Sequence, residues 1–581
     1  MPQLRVVLAQ VNPVVGDIAG NSERVVEAVR EAVARGAHLV LLPEMVIPGY
    51  PIEDLALRSS FIEASRFAVQ DLAATLADQG LGEPTVVVGY LDRAEGGTDR
   101  VGRPRGSPQN AAAVMTGGRV VARSAKHHLP NYGVFDEYRN FVPGEESLVV
   151  RVRGVDVSLA ICEDIWQDGP SAAARAAGAG LLVVINGSPY EAQKDDVRGE
   201  LCARRAAEAG CPLAYVNMVG GQDELVFDGD SLVCDQTGDV IARAPQFEEA
   251  LLVVDLDLAA ATDGLETSYQ NLTIRRVDLG EPTVPTYQPL QPTTATWLED
   301  EAEVYAALVL GVRDYVRKNG FGSVVFGLSG GIDSTLTAVI AADAIGGPNV
   351  HGISMPSQHS SPHSREDAAD LARRIRADFR VVPIEPTVQE FRRSVELTGL
   401  AAENVQARTR GVIVMGVSNQ EGQLALATGN KSELAVGYST LYGDSVGGYA
   451  PLKDVPKTLL YRLAEWRNKA SVERGETPPI PENCITKPPS AELAAGQLDS
   501  DSLPGYRLLD EILDAYVEHD RSALELVGQG FDEGVVTKVI TLVDRAEYKR
   551  RQYPPGPKIS ARNFGRDRRL PITNRWREHL P

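Results

Sequence analysis

Cysteine is scarce in this chain: five residues in 581 (Cys162, Cys202, Cys211, Cys234 and Cys484), an odd number with no CxxC pair. That excludes a disulfide framework and a zinc knuckle, and it leads us to expect a reducing, cytoplasmic setting. Positive charge is also in deficit. Lys and Arg total 58 against 79 Asp and Glu, a net charge of -21, which repels a phosphate backbone and argues against nucleic acid as a partner. The basic stretch Arg566 to Arg569 reads as a solvated tail or a local anion contact. No apolar run approaches the ~18 residues of a membrane span. The strand-like run Leu4–Val11 starts without the basic-then-apolar opening of an export signal, so neither anchor nor export is expected. No Gly-Lys dipeptide occurs. The phosphate loop that ends in Gly-Lys-Ser/Thr, and with it the P-loop ATPase and kinase readings, loses its support.

What is present suffices for a large folded protein. The chain is 43% hydrophobic and 24% charged without a long biased tract, and its length suits two large α/β units. Short apolar runs recur at Leu4–Val11, His38–Leu42, Thr85–Tyr90, Val155–Cys162, Leu181–Asn186 and Pro212–Met218. Amphipathic or loop-like stretches separate them, as in an α/β sheet protein. The pattern fades after Asp257, and 281–296 is rich in Thr, Pro and Gln, so a linker is expected over 266–298. Beyond it lie a helical stretch over 300–318 and a strand over 323–328. A Gly-rich turn leads into a helix from Ser334 to about Ala344, and further strands are expected at Val350–Met355, Phe379–Ile384 and Leu424–Thr428. Such alternation gives a mostly parallel sheet covered on both faces, with ligands at the C-terminal ends of its strands. No internal repeat relates the halves. The expected division is 1–265, a linker 266–298, and 299–581.

In the first half three strand ends carry reactive groups. Cys162 follows Val155–Ile161 and opens the turn Cys-Glu-Asp-Ile-Trp; Glu44 closes His38–Pro43; Lys126 lies in Ala-Lys-His-His-Leu-Pro-Asn-Tyr. Taken singly, the cysteine reads as a small buried hydrophobe and the charges as solvated. Together they supply a thiol nucleophile, a carboxylate base and an ammonium for the oxyanion, which is what attack on an amide requires.

These motifs resemble the nitrilase superfamily, whose Glu-Lys-Cys triad is matched by Leu-Leu-Pro-Glu44, Lys126 and Ile-Cys162-Glu-Asp. The resemblance implies an α-β-β-α sandwich in which Glu44 is the general base, Cys162 forms a glutamyl thioester and Lys126 steadies the oxyanion. It also implies that Tyr132, Ser188 and Lys194 hold glutamine, with Glu137 a second acidic group near the triad. Read alone, Tyr132 and Ser188 are ordinary turn residues and Lys194 a surface charge.

In the second half, Gly327-Leu328-Ser329-Gly330-Gly331-Ile332-Asp333-Ser334 lies between a Val/Phe strand and a helix. Backbone and hydroxyl donors at a helix N-terminus suit a phosphate, and an acidic residue in such a cradle suits a magnesium ion. The motif resembles the PP-loop ATP pyrophosphatases, with their doubly wound, Rossmann-like sheet, which split ATP between the α- and β-phosphates. Further stretches, Glu403 to Arg410, Thr428-Gly-Asn-Lys-Ser-Glu433, Gly437-Tyr438, Tyr442-Gly-Asp444, Lys487 to Leu493 and Tyr548 to Lys558, resemble the NAD synthetase branch. Thr428-Gly429-Asn430 stands where ammonia-only members carry Thr-Asp-His, so the chain fits the glutamine-using family.

That resemblance implies ATP as co-substrate bound by residues 327–334 and Thr428. It puts Mg2+ at Asp333 and Glu433, and deamido-NAD at Asn404, Arg408, Glu433 and Lys549. Glutamine, deamido-NAD and ATP would be the partners of a homo-oligomer that amidates deamido-NAD through an adenylated carboxylate. A related enzyme for a different acid, an amidase whose second half only senses nucleotide, and a binding protein built on retired domains are the rivals. Stretches 241–297 and 511–544 offer no residue for chemistry.

Overall fold

The computed structural model describes residues 2–578 apart from 95–103, 105, 193, 264, 265, 491, 495 and 577, and the backbone alone for 194–196. The chain divides into two compact units, Met1–Gln222 with Phe227–Leu298 and Asp223–Val226 with Glu299–Pro581.

The first unit is built on two sheets. One runs Ala250–Asp257, Gln3–Gln10, Leu39–Leu41, Thr85–Arg93, Pro108–Thr116, Arg119–Ala125; the other runs Val240–Arg243, Leu232–Cys234, Leu213–Asn217, Leu181–Asn186, Val155–Ile161, Glu146–Val152, Leu272–Asp278, Ser268–Tyr269. The two-residue alternation of strand side chains decides which side each face meets. From the first strand, Val6 and Leu8 enter a core shared with Leu159, Ile161, Val183 and Ile185 of the other sheet. Val7 and Ala9 instead meet Val25 and Val29 of helix Ile18–Ala34 and Leu72 and Leu76 of helix Ser59–Asp78. On the far side, Leu182 and Val184 pack with Leu201, Cys202 and Ala206 of helix Lys194–Ala209. Helix, sheet, sheet, helix is the result, the α-β-β-α sandwich that the motifs imply. Strand Leu39–Leu41 is parallel to Gln3–Gln10 and Thr85–Arg93, and Val155–Ile161 is parallel to Leu181–Asn186. Their carboxyl ends carry Glu44, Cys162 and Ser188.

The expected linker needs correction. Leu272–Asp278 is a strand parallel to Glu146–Val152, with Thr273 opposite Glu146 and Asp278 opposite Arg151. Its apolar residues Leu272 and Ile274 are buried. The Thr, Pro and Gln that follow disguised this short alternating run. Even the end of the segment is anchored: the Ala295 N–H donates to the Arg243 carbonyl. The Arg243 guanidinium lies 3.3 Å from the Trp297 ring centroid, and its Nε is 2.5 Å from the buried Asp230 carboxylate.

The second unit contains a parallel four-stranded sheet in the order Asp378–Val381, Val350–Ser354, Val324–Gly327, Leu424–Ala425. All four strands are shorter than the sequence suggests, and at the sheet edges only Asp378–Val381 and Leu424–Ala425 are in register with their neighbours. Val325, Ile353 and Ala425 pack with Val405 and Val414 of helix Gly399–Glu421. Stretch 511–544, silent as to chemistry, supplies much of a helical core, with Ile512, Leu526, Val536, Val539 and Val543 against Leu434 and Ala435.

Candidate active sites

In the first unit the strand ends place three ionisable side chains together in the interior. Glu44 and Lys126 are fully buried, and Lys126 Nζ stands 2.8 Å from Glu44 Oε1 and 2.9 Å from Glu137 Oε2. Glu44 is fixed further by the Asn110 side-chain amide at 2.6 Å and by the Gly187 N–H, which donates to Oε2 at 2.7 Å. The Tyr50 hydroxyl donates to Glu137 Oε1 at 2.9 Å. A carboxylate held by a backbone N–H, an amide and an ammonium has one fixed orientation.

Cys162 begins a short 3-10 turn, Cys162–Ile165, directly after its strand, with φ +47°. This left-handed conformation costs a non-glycine residue on the order of 1–3 kcal/mol and lifts the side chain out of the sheet. Burial pushes the thiol well above its ordinary pKa; the Glu44 charge adds to the rise and Lys126 opposes it. Burial thus favours the thiol over the thiolate at Cys162. Burial also pushes the Lys126 ammonium down, but Glu137 and Glu44 outweigh it and hold the group charged. The Glu137 carboxyl is pushed up to about 7 by burial, against the pull of Lys126. One ammonium between two carboxylates in a dry site leaves the second carboxylate poised to keep its proton.

Of the expected glutamine contacts, Ser188 is buried beside Gly187, its N–H donating to Asn217 Oδ1 at 2.9 Å. Tyr132 has an exposed ring whose hydroxyl donates to Glu163 Oε2 at 2.9 Å. Lys194 opens the helix Lys194–Ala209, and its side chain lies outside the described part of the structure. Asn110, Tyr50 and Glu163 were not singled out from the sequence. Asn110 and Tyr50 sit in apolar or turn contexts without a motif; Glu163, adjacent to Cys162, was in plain view.

The second unit holds a cavity of about 530 Å³ lined by Gly327, Leu328, Ser329, Gly331, Ile332, Asp333 and Ser334 and, opposite, by Thr428 and Glu433. Gly330 turns away at φ +82°, where a Cβ would lie 2.2 Å from the Ser364 carbonyl oxygen. The loop is pre-ordered: the Gly331 N–H donates to Ser329 Oγ at 3.1 Å, and the Ser334 hydroxyl donates to the Gly331 carbonyl at 3.0 Å.

Asp333 and Glu433 meet at Lys457, whose Nζ is 2.6 Å from Asp333 Oδ2 and 3.3 Å from Glu433 Oε1. Asn430 links them again, its amide donating to Asp333 Oδ1 at 2.7 Å while its oxygen accepts the Glu433 N–H at 3.0 Å. Burial, and next the Asp333 charge, push Glu433 up to about 8. Oxygen donors that crowd each other in this way fit a hard divalent cation. No group of three or more metal-binding side chains occurs among the described residues, so any such ion would take its remaining ligands from phosphate or water. Lys457, unremarkable on a helix in the sequence, is the residue missed here.

Asn404, Arg408 and Lys549 are not among the described residues lining this cavity. They gather instead on the segment 437–441. Lys549 Nζ donates to the Gly437 and Ser439 carbonyls at 2.7 and 2.6 Å, Arg408 Nε to the Leu441 carbonyl at 3.2 Å, and the Thr440 hydroxyl donates to Asn404 Oδ1 at 2.9 Å. Burial lowers the Lys549 pKa. No helix among the described residues is long and apolar enough to cross a membrane.

Two family models match the chain: carbon-nitrogen hydrolase over residues 5–263 and NAD synthase over residues 304–553. A glutamine-dependent NAD(+) synthetase from Thermotoga maritima is 43% identical, and the match covers all of both chains. The structure of a glutamine-dependent NAD+ synthetase from Acinetobacter baumannii in complex with adenosine diphosphate is 39% identical, with a TM-score of 0.73 and full coverage of both chains. A glutamine-dependent NAD(+) synthetase structure from Cytophaga hutchinsonii, 22% identical, covers 98% of each chain at a TM-score of 0.79 and attests the fold alone.

Proposed function

Since this chain belongs to the glutamine-dependent NAD(+) synthetases, glutamine-hydrolysing ligases, we propose that its first unit releases ammonia from glutamine at Cys162 and its second adds that ammonia to deamido-NAD. The observation that carries the first half is the buried Lys126 ammonium between Glu44 and Glu137 at the strand ends that bear Cys162 and Ser188.

Glu44 takes the Cys162 proton as the sulfur attacks the glutamine carboxamide carbon. Negative charge gathers on the carbonyl oxygen beside Lys126, where exclusion of water makes a fixed ammonium count for more than it would in solvent. Glu44 returns the proton to the departing nitrogen, ammonia leaves, and a glutamyl thioester remains. Water, deprotonated by the same carboxylate, then releases glutamate and restores the thiol. Glu163, buried next to the nucleophile and bonded to Tyr132, offers the negative charge that an α-ammonium group seeks.

In the second unit, residues 327–334 and Thr428 hold the ATP phosphates. The nicotinate carboxylate of deamido-NAD attacks the α-phosphorus, pyrophosphate leaves, and ammonia displaces AMP to give NAD. Asp333 and Glu433 would hold Mg2+, which when bound offsets phosphate charge. Lys457 keeps those carboxylates from repelling each other before it binds. Asn404, Arg408 and Lys549 form one polar face for the dinucleotide.

The test is NAD and AMP formation from deamido-NAD and Mg-ATP with glutamine or with ammonium, in the parent protein and in Cys162→Ala. Loss of only the glutamine-driven synthesis is expected. Unchanged glutamine-driven synthesis in the variant would remove Cys162 as nucleophile, and no NAD from either nitrogen source would overturn the substrate assignment.

A further inference from the structure

Two residues beyond the nucleophile, Asp164 is buried. Its Oδ1 accepts the N–H groups of His127 and His128 at 3.0 and 2.8 Å, and its Oδ2 accepts the N–H of Ile161 at 3.0 Å. His127 follows Lys126 in sequence, and Ile161 precedes Cys162. One rigid carboxylate thus bridges the chain immediately after the ammonium and the chain immediately before the sulfur.

The surrounding bonds show why that bridge matters. The Lys126 N–H donates to the Asn110 carbonyl at 2.8 Å, and the Lys126 carbonyl accepts from the Gly144 N–H at 2.8 Å. The first contact holds Lys126 to its own sheet, and the second ties it to the segment that leads into strand Glu146–Val152 of the other. Ile161 ends a strand of the other sheet, paired with Ile185, and Cys162 beyond it has the unfavourable φ of +47°. Such a conformation persists only where its surroundings over-determine it. Asp164 closes the turn onto the Ile161 N–H and fastens it to the Lys126 loop.

We propose that Asp164 is a positioning residue for glutamine hydrolysis, setting the distance between the Cys162 sulfur and the Lys126 ammonium across the two sheets. The inference rests on the reading of Cys162 and Lys126 as nucleophile and oxyanion partner. The hydrogen bonds Asp164 accepts come from the backbone N–H groups of His127, His128 and Ile161, so its loss changes the chemical step and leaves glutamine binding intact.

The test is Asp164→Asn, isosteric but with only one acceptor oxygen. If that oxygen serves His127 and His128, the NH2 group confronts the Ile161 N–H. A displacement of the order of 1 Å lowers a rate by roughly 100-fold. The expected result is a kcat for glutamine hydrolysis lower by about that factor, with KM for glutamine and ammonia-driven NAD synthesis both unchanged. A kcat within threefold of the parent, or a loss confined to KM, would overturn the proposal. If Asp164→Asn also loses ammonia-driven synthesis, Asp164→Ser is measured in the same way; the same double loss there assigns Asp164 to folding and equally overturns it. Should the parent protein hydrolyse no glutamine, or Cys162→Ala retain full hydrolysis, the functional reading itself fails, which these arms separate from a failure of the Asp164 inference.

Discussion

The Lys126 ammonium and the Glu44 carboxylate meet at 2.8 Å with both side chains almost wholly excluded from solvent. A pair of this kind adds little net stability while intact, because desolvation offsets attraction, but removing one partner strands a buried charge at a cost of about 3–5 kcal/mol. Lys126→Ala is therefore expected to abolish glutamine hydrolysis and to lower the unfolding temperature of the first unit. Ammonia-driven NAD synthesis persists below that transition. Calorimetry together with the two nitrogen sources checks both parts; a variant as stable as the parent would contradict the buried pairing.

Glu137 predicts a pH dependence. Burial raises its carboxyl to about 7, so the folded state favours the protonated form relative to the unfolded chain. The stability this contributes is complete below the ordinary carboxylate range and is lost as pH climbs through about 7. Glu137→Gln keeps the neutral shape, with the Tyr50 hydroxyl turning to accept from the new amide. The variant is expected to gain in unfolding temperature relative to the parent as pH rises from 5 to 8. A constant difference across that range would show that Glu137 is ionised throughout.

Lys457 is expected to serve synthesis without serving hydrolysis. Lys457→Ala leaves Asp333 and Glu433 without the ammonium that both carboxylates hold, which raises the Glu433 pKa further and misorients both. NAD formation from glutamine and from ammonium should fall together, by at least tenfold, while glutamine hydrolysis measured without ATP stays near the parent rate. Unequal losses with the two nitrogen sources would contradict this assignment.

The two central glycines of the phosphate loop should tolerate substitution unequally. A Cβ at Gly330 would meet the Ser364 carbonyl at 2.2 Å in a left-handed conformation, whereas one at Gly331 would lie 3.3 Å from the movable Ser329 hydroxyl. Gly330→Ala is expected to lose ATP-dependent synthesis almost entirely and to cost a few kcal/mol of stability in the second unit. Gly331→Ala should weaken ATP binding by less than tenfold, as titration with the nucleotide would report.

Much of this was legible in the residues. Short apolar runs announced the strands that carry Glu44, Cys162 and Ser188, and the Gly-rich turn announced the loop 327–334, because buried strands and tight turns leave local traces. Contacts remote in sequence left none. Lys457 looks like any helical lysine until folding sets it against Asp333, 124 residues away. The strand Leu272–Asp278 escaped because its polar neighbours swamp a short apolar period. Asn404, Arg408 and Lys549 came from resemblance, and their common seat on segment 437–441 could not be read from their spacing.

That late strand also bears on where the polypeptide can be cut. Its ladder with Glu146–Val152 means that a fragment stopped at residue 265 would leave a hydrogen-bonding edge bare, an invitation to self-association. One continued to residue 298 would carry its own edge strand and the Trp297 clasp on Arg243. The first unit thus closes some 30 residues beyond the boundary at residue 265 that its apolar pattern suggests, and a clean cut between the halves belongs after Leu298.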